Sequence, residues 1–377
     1  MEFIDIVEWS SLIISKSLKN HPPISQKSGS IAASNSLACM YVLRGINIRL
    51  IWAFAWKAML GYIAWSSFIY LLYAHLGCKF LAIPFLPVAT IGTAVAFYVG
   101  FKNNSAYDRL WEGRRIWGSI TNASRTFANW IINWSGRWVG KSVADMEAIR
   151  REIVLRHIAW ANVLRLQLRK TSVWENHYAT TITNKMIHTT TPEEQFEEDI
   201  RHLTEDLLGK DEFSTVKTKG NKATYLLFLQ SQQLTALKHR GLLSDFEHSD
   251  LEKMVSELYN QQGAAERIKS FPFPRQYGFF STVFVVLFNV LLPFALLGEL
   301  AKFNENTLWL VIPFSTLISW IFFTMETIGD SSENPFENSI NDVPMTAICR
   351  NIEIDLREML GETDLPAKVQ AVNGVLF

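Results

Sequence analysis

Phe80-Leu81-Ala82-Ile83-Pro84-Phe85-Leu86-Pro87-Val88-Ala89-Thr90-Ile91-Gly92-Thr93-Ala94-Val95-Ala96-Phe97-Tyr98-Val99-Gly100-Phe101 carries no ionisable group other than the Tyr98 phenol. A helix of about 20 apolar residues crosses a hydrocarbon core of roughly 30 Å. Immediately upstream, Ala58 to Cys78 forms a second such run, with Lys79 alone between them. Tyr277 to Gly298 and Asn306 to Met325 form another closely spaced pair. Four runs in two pairs predict an integral membrane protein with two hairpins. The first run is the weakest, because Arg49 and Lys57 lie just before it and must sit at an interface or snorkel.

The pairing sets the topology. The short links, Lys79 and Glu299 to Glu305, share one side of the membrane, and the long segment Lys102 to Ser270 shares the other with both termini. Thirteen Lys and Arg fall between Lys102 and Lys170, against Lys79 and Lys302 in the short links. The positive-inside rule therefore predicts a cytosolic middle segment and cytosolic termini, with the cell membrane as location. Trp52, Trp56, Trp309 and Trp320 are placed as interfacial aromatics.

The rest of the composition agrees. The 377 residues carry 36 Lys and Arg against 36 Asp and Glu; this excludes a globally basic nucleic-acid binder, and no nucleic-acid partner is expected. Cys39, Cys78 and Cys349 lie far apart, with no spacing that suggests zinc or a disulfide framework. Met1 to Asn20 carries Glu2, Asp5 and Glu8 before its apolar residues, so it is not a signal peptide; it reads as an amphipathic interfacial helix or a surface helix. Pro22 to Ser36 reads as a flexible linker.

The middle segment reads as helical. Met146 to Lys170 places Ile149, Ile153, Leu155, Ile158, Ala161, Leu164 and Leu168 at helical spacing. Asp245 opens another helix, with Phe246, Leu251, Met254, Val255 and Leu258 expected to be buried. Thr171 to Asn221, broken by Pro192 and Gly209, reads as connections and short surface helices; its run Glu193, Glu194, Glu197, Glu198, Asp199 reads as a solvated helix face. No GxGxxG, GxxxxGK[ST], HExxH or GxSxG string occurs, and the eight His are scattered, so neither an enzyme nor a cofactor or metal site is expected. His75, near a membrane edge, reads as an interfacial side chain.

The segments flanking the runs are more specific. After the second comes Phe101-Lys102-Asn103-Asn104-Ser105-Ala106-Tyr107-Asp108-Arg109-Leu110-Trp111-Glu112-Gly113-Arg114-Arg115. Before the third comes Glu266-Arg267-Ile268-Lys269-Ser270-Phe271-Pro272-Phe273-Pro274. After the fourth come Glu333-Asn334-Pro335-Phe336, Asn341-Asp342-Val343-Pro344 and Cys349-Arg350-Asn351-Ile352-Glu353-Ile354-Asp355-Leu356. In this order, over about Arg44 to Glu362, the strings resemble the bestrophin family, most closely its prokaryotic-type branch. The resemblance implies an all-α, homopentameric ion channel, mostly for chloride or other anions. Four spans per subunit would surround one axial pore, with an apolar neck lined by the second span and a large helical cytosolic part. Some prokaryotic-type members are cation-selective, so that alternative stays open, as does a secondary transporter. The implied divisions are 1–37 (extension and linker), 38–101 (first hairpin), 102–270 (cytosolic helices), 271–329 (second hairpin) and 330–377 (cytosolic C-terminal segment).

Pro84 and Pro87 suit the start of a helix, and Leu86, Thr90 and Ala94 share one face at i, i+4, i+8. The resemblance implies that these three are the pore neck and that Phe246 is a second, cytosolic aperture. The alternatives are helix packing in both places. Thr90 and Ala94 are smaller than the family's neck residues, so the neck is expected to be wider and wetter. Asn103, Asn104, Tyr107, Asp108 and Arg109 are expected to lock the helix exit to its neighbours. The calcium-binding acidic run of animal bestrophins is reduced to Glu337 and Asp342, which are expected to cap a helix or pair with a base such as Arg350.

Overall fold

The computed structural model describes residues 48–134, 142–170, 193–303, 305–337, 341–371 and 376. Among them the fold is all-helical: α1 (Ile48–Ala74), α2 (Phe85–Trp134), α3 (Val143–Arg169), α4 (Glu193–Thr204), α5 (Lys210–Lys217), α6 (Lys222–His239), α7 (Asp245–Ser270), α8 (Arg275–Leu300), α9 (Val311–Ser331) and α10 (Met345–Met359). Residues 1–47, with the expected N-terminal helix and linker, and 171–192 lie outside the described residues.

Among the described residues three segments are long and apolar enough to cross a membrane: Lys79–Asn133, Arg275–Leu300 and Asn306–Ser331. Helix α1 is not among them. It starts ten residues before the expected run and ends at Ala74, so Lys57 falls within it; a turn with Gly77 at φ 67° follows. The last segment continues past Met325 and takes in Glu326 and Asp330.

Helix α2 differs most from the sequence reading. Pro84 precedes it and Pro87 sits in its first turn, where the amides have no intrahelical acceptor. It then runs 50 residues without a break past Phe101, a length of about 75 Å at 1.5 Å per residue. Hydropathy ends at Lys102; the helix does not.

Two apolar layers hold this rod. In the membrane layer, Val88, Val95 and Val99 of α2 pack on Val285, Phe288, Leu292 and Ala295 of α8. Gly92 lies among them because a Cβ there would come within 2.6 Å of the Phe288 ring. Pro293 lies inside α8, and in the same turn the indole of Trp65 on α1 donates to the Val290 carbonyl at 3.2 Å, tying α1 to α8. In the second layer, α3, α7 and α10 pack on the lower half of α2, and α6 packs on α3 and α7, with Trp117, Phe127, Trp160, Leu164, Leu226, Leu251 and Ile352 buried. The caps follow local rules. Ser142 accepts from the Asp145 amide, Asn221 from the Thr224 amide, and Ser244 with Glu247 forms a reciprocal capping box.

Two expectations about the middle segment need correction. Phe246 is not buried: it is 85% exposed, because the first turn of α7 projects past the core that Leu251, Val255 and Leu258 enter. The acidic run in α4 is not simply solvated either. Glu197 pairs with the buried Lys222 at 3.0 Å, and Asp199 is half-buried, while Glu198 faces solvent and pairs with Arg201 at 2.6 Å.

Candidate functional site

Helix α2 has two faces through the membrane layer. Val88, Gly92, Val95 and Val99 are buried; Leu86, Thr90, Thr93, Ala94, Phe97 and Phe101 are exposed. Successive residues turn by about 100° on a helix, which puts Thr90, Phe97 and Phe101 opposite the buried valines, with Leu86 and Ala94 at the flanks of the same stripe. The three expected neck residues thus do share one exposed face of α2. Phe97 and Phe101, one and two turns beyond Ala94, belong to that face and were missed. The signal was available as spacings of seven and eleven from Thr90, and lay outside the Leu86–Thr90–Ala94 register first considered.

The stripe is uncharged through the membrane layer and then continues as Asn104, Asp108, Trp111 and Arg115, all exposed. Its two hydroxyls are occupied internally: Thr90 Oγ1 donates to the Leu86 carbonyl at 2.9 Å and Thr93 Oγ1 to the Ala89 carbonyl at 3.0 Å. What they present outward is a methyl group and oxygen lone pairs.

The opposite side of the helix exit is clamped. Lys102 is buried, and its ammonium donates to Glu326 at 2.6 Å and to Asp330, both on α9. Ser281 and Thr282 of α8 donate to the two Glu326 oxygens at 2.6 and 2.9 Å. Asn103 donates to the Met325 carbonyl at 3.0 Å, against Gly329, whose missing Cβ leaves room for the Asn103 amide. Arg109 donates from Nε to the Glu333 carbonyl at 2.9 Å and from Nη2 to the carbonyls of Ile268 and Phe271 at 3.1 and 3.0 Å. Asn103 and Arg109 therefore lock the exit as expected, whereas Asn104, Tyr107 and Asp108 stay exposed, with Tyr107 stacked on Trp111. The Lys102–Glu326–Asp330 cluster was not read from the sequence, since Lys102 lies 224 and 228 positions from its two carboxylate partners.

Below this exit, Phe246 stands at the tip of α7. Lys238 pairs with Asp245 at 2.9 Å and holds its carboxyl below the usual range, while Leu242 and Leu243 are buried behind the turn. The Asn334-Pro335-Phe336 turn keeps its shape by burying Phe336 beside Gly113 of α2. Glu337 pairs there with a base as expected, here Lys269, and Arg350 pairs with Glu353 at 3.2 Å. Helix α10 follows Pro344, whose own side chain supplies no cap. No group of three potential metal ligands occurs among the described residues.

A protein-family model for bacterial and fungal bestrophins matches residues 34–358. The chain belongs to the bestrophin family. It is similar to the voltage-dependent anion channel-forming protein YneE of Escherichia coli strain K12, with 31% identity over 332 residues, 87% of this chain and 91% of that protein. It is also similar to a voltage-dependent anion channel-forming protein of Nostoc, 27% identical over 262 residues, 69% of this chain and 72% of the relative. Among solved structures, a bacterial bestrophin homologue from Klebsiella pneumoniae superposes with a TM-score of 0.64 and 26% identity, covering 81% of this chain and 97% of the other. A bestrophin fold places α2 and its exposed stripe in the part of the chain that the family shares.

Proposed function

We propose that the protein is an anion channel of the membrane, passing chloride passively along an axis bordered by the exposed stripe of α2. The observation that carries this reading is the stripe itself: a face of an unbroken helix, free of charge from Leu86 to Phe101 and exposed among the described residues, in a bestrophin similar to channel-forming relatives. One such face cannot enclose a pathway, so the reading requires a symmetric homo-oligomer, for which a pentamer is proposed. In it α1 is a fourth span, snorkelling Lys57 toward the cytosolic interface, and segments 38–101 and 271–329 lie in the bilayer. Segments 102–270 and 330–377, and the N-terminal extension 1–37, lie in the cytosol of a cell whose plasma membrane holds the channel.

Leu86, Thr90 and Ala94 form the neck in this proposal, Phe97 and Phe101 continue it, and Phe246 forms the lower aperture. Because the Thr90 and Thr93 hydroxyls donate to their own helix, the neck offers an anion no fixed donors. Passage then depends on width and hydration, not on binding. Nothing in this mechanism needs catalysis, a metal or a cofactor.

A cation-selective reading has one observation in its favour: lone pairs from Thr90 and Thr93, followed by the exposed Asp108 carboxylate on the same stripe. Recording purified protein in planar bilayers under asymmetric potassium chloride separates the two. Picoampere unitary currents reversing near the chloride equilibrium potential are expected. Reversal near the potassium potential would establish the cation reading, and slow saturable flux without unitary steps would establish a transporter.

A further inference from the structure

Between α2 and the start of α10 lies a cleft of about 350 Å³, near the small end of the range of roughly 300–1,000 Å³ for small-molecule sites. Arg114, Gly118 and Asn122 line it from α2 at i, i+4 and i+8, and Val343, Pro344 and Ile348 line it from the other side. One wall is therefore apolar and the other carries the polar groups.

The polar groups of the cleft are available. Other arginines of this part of the chain are engaged: Arg109 by three backbone carbonyls, Arg125 by Asp355 at 2.6 Å and Arg267 by Glu112 at 2.6 Å. Arg114 is exposed and makes no ion pair or hydrogen bond among the described residues, and the exposed Asn122 carboxamide makes none either. Thr121 also lines the cleft, but its hydroxyl donates to the Trp117 carbonyl at 2.9 Å. Gly118 is the second observation. Gly92 and Gly113 of the same helix are accounted for by packing, since a Cβ would come within 2.6 Å of Phe288 and 3.1 Å of Phe336 respectively. A Cβ at Gly118 would meet nothing within 4 Å. Glycine is disfavoured inside a helix, and here its missing side chain leaves the cleft open.

We propose that this cleft is a binding site for a small organic monocarboxylate with an apolar body. The planar Arg114 fork suits the two oxygens of one carboxylate, the Asn122 amide supplies a further donor, and the body lies over Gly118 against Val343, Pro344 and Ile348. One unpaired cation matches one negative charge. A phosphate dianion would bring a second charge to an apolar wall that cannot neutralise it, and chloride has no body to fill the space. Asn122 lies eighteen residues from Asn104, about five turns at 3.6 residues per turn, so it shares the exposed stripe of α2. On the channel reading above, the cleft opens beside the ion pathway, and its occupant lowers the current.

The test is isothermal calorimetry of the full-length, detergent-purified protein with sodium benzoate, compared with benzamide, which has the ring without the charge, and acetate, which has the charge without the body. Benzoate should bind saturably, and at least about tenfold more tightly than either. Arg114→Gln should weaken benzoate at least about tenfold. Gly118→Leu, which fills the open space, should abolish binding while its unfolding midpoint stays at or above that of wild type. Calorimetry reads the site whether or not the protein conducts. In planar bilayers benzoate should reduce the unitary current of wild type and not that of Gly118→Leu. A wild-type protein indifferent to benzoate, as when a neighbouring copy fills the cleft, equal binding of benzamide, or undiminished binding in either variant would overturn the proposal. Benzoate that binds and leaves the unitary current unchanged would overturn the placement of the site beside the pathway.

Discussion

Replacing Lys102 by Met keeps the length of the side chain and deletes its charge. The ammonium is 2% exposed, Glu326 6% and Asp330 27%, so the change strands one fully buried carboxylate and one that water can reach. Removing one partner of a buried ion pair costs about 3–5 kcal/mol. Here the low end applies, because Ser281 and Thr282 still donate to Glu326 and Asp330 rehydrates at its exposed edge. About 3 kcal/mol corresponds to roughly a 150-fold shift toward the unfolded state. Glu326→Gln in the Lys102→Met background removes the stranded charge, so the double variant should recover about 2 kcal/mol relative to the sum of the single losses, within the range of coupling for contacting groups. The measurement is a double-mutant cycle on unfolding of detergent-purified protein, followed by size exclusion. A Lys102→Met protein within about 0.5 kcal/mol of wild type, or strict additivity in the cycle, would refute the clamp. Surviving Lys102→Met channels should keep wild-type ion selectivity, because the residue faces away from the stripe.

Thr90→Phe should sharply reduce unitary conductance while recovery of the intact oligomer stays near wild type; normal conductance would remove Thr90, Leu86 and Ala94 from the pathway together. Gly298→Ala places a methyl group onto the carbonyl oxygen of Ile83, in the connection that also donates the Ile83 amide to Phe294 at 3.3 Å, and should cost about 1–3 kcal/mol, read as a lowered unfolding midpoint. His157, buried against Ser124 and Trp160, has its pKa lowered by burial to about 3. The unfolded chain therefore binds a proton that the folded one rejects between pH 6.5 and about 3, and stability should fall by about 2 kcal/mol from pH 7 to pH 5 on this account. His157→Gln should flatten that part of the pH profile; an unchanged slope would show that other groups set it.

The sequence reveals best what depends on neighbours in the chain. Runs of about 20 apolar residues and the prolines opening α2 are local signals; three of the four runs fall in segments long and apolar enough to cross a membrane, and α2 begins at Phe85, between the two prolines. The length of α2 is not local. Past Lys102 its helicity rests on packing against α7 and α10, which hydropathy does not register. Phe246 was misplaced because the spacing of Leu251, Val255 and Leu258 was extended backward into a first turn with nothing to pack on. Glu337 and Lys269 are 68 positions apart, and nothing in either segment pointed to the other.

An unbroken rod clamped near one third of its length behaves mechanically as a lever. From Lys102 to Leu86 the arm is about 24 Å, and from Lys102 to Trp134 about 48 Å, at 1.5 Å per residue. A tilt of about 5° around the clamp would displace the outer end by about 2 Å and the inner end by about 4 Å, using those arms. The ratio favours control from the long arm: a modest force on it, wherever α7 and α10 grip it, is doubled at the short one. An oligomer built from such levers would change the width of its outer opening without bending, melting or sliding any helix, and the stiffness of that response would be set by three side chains, Lys102, Glu326 and Asp330.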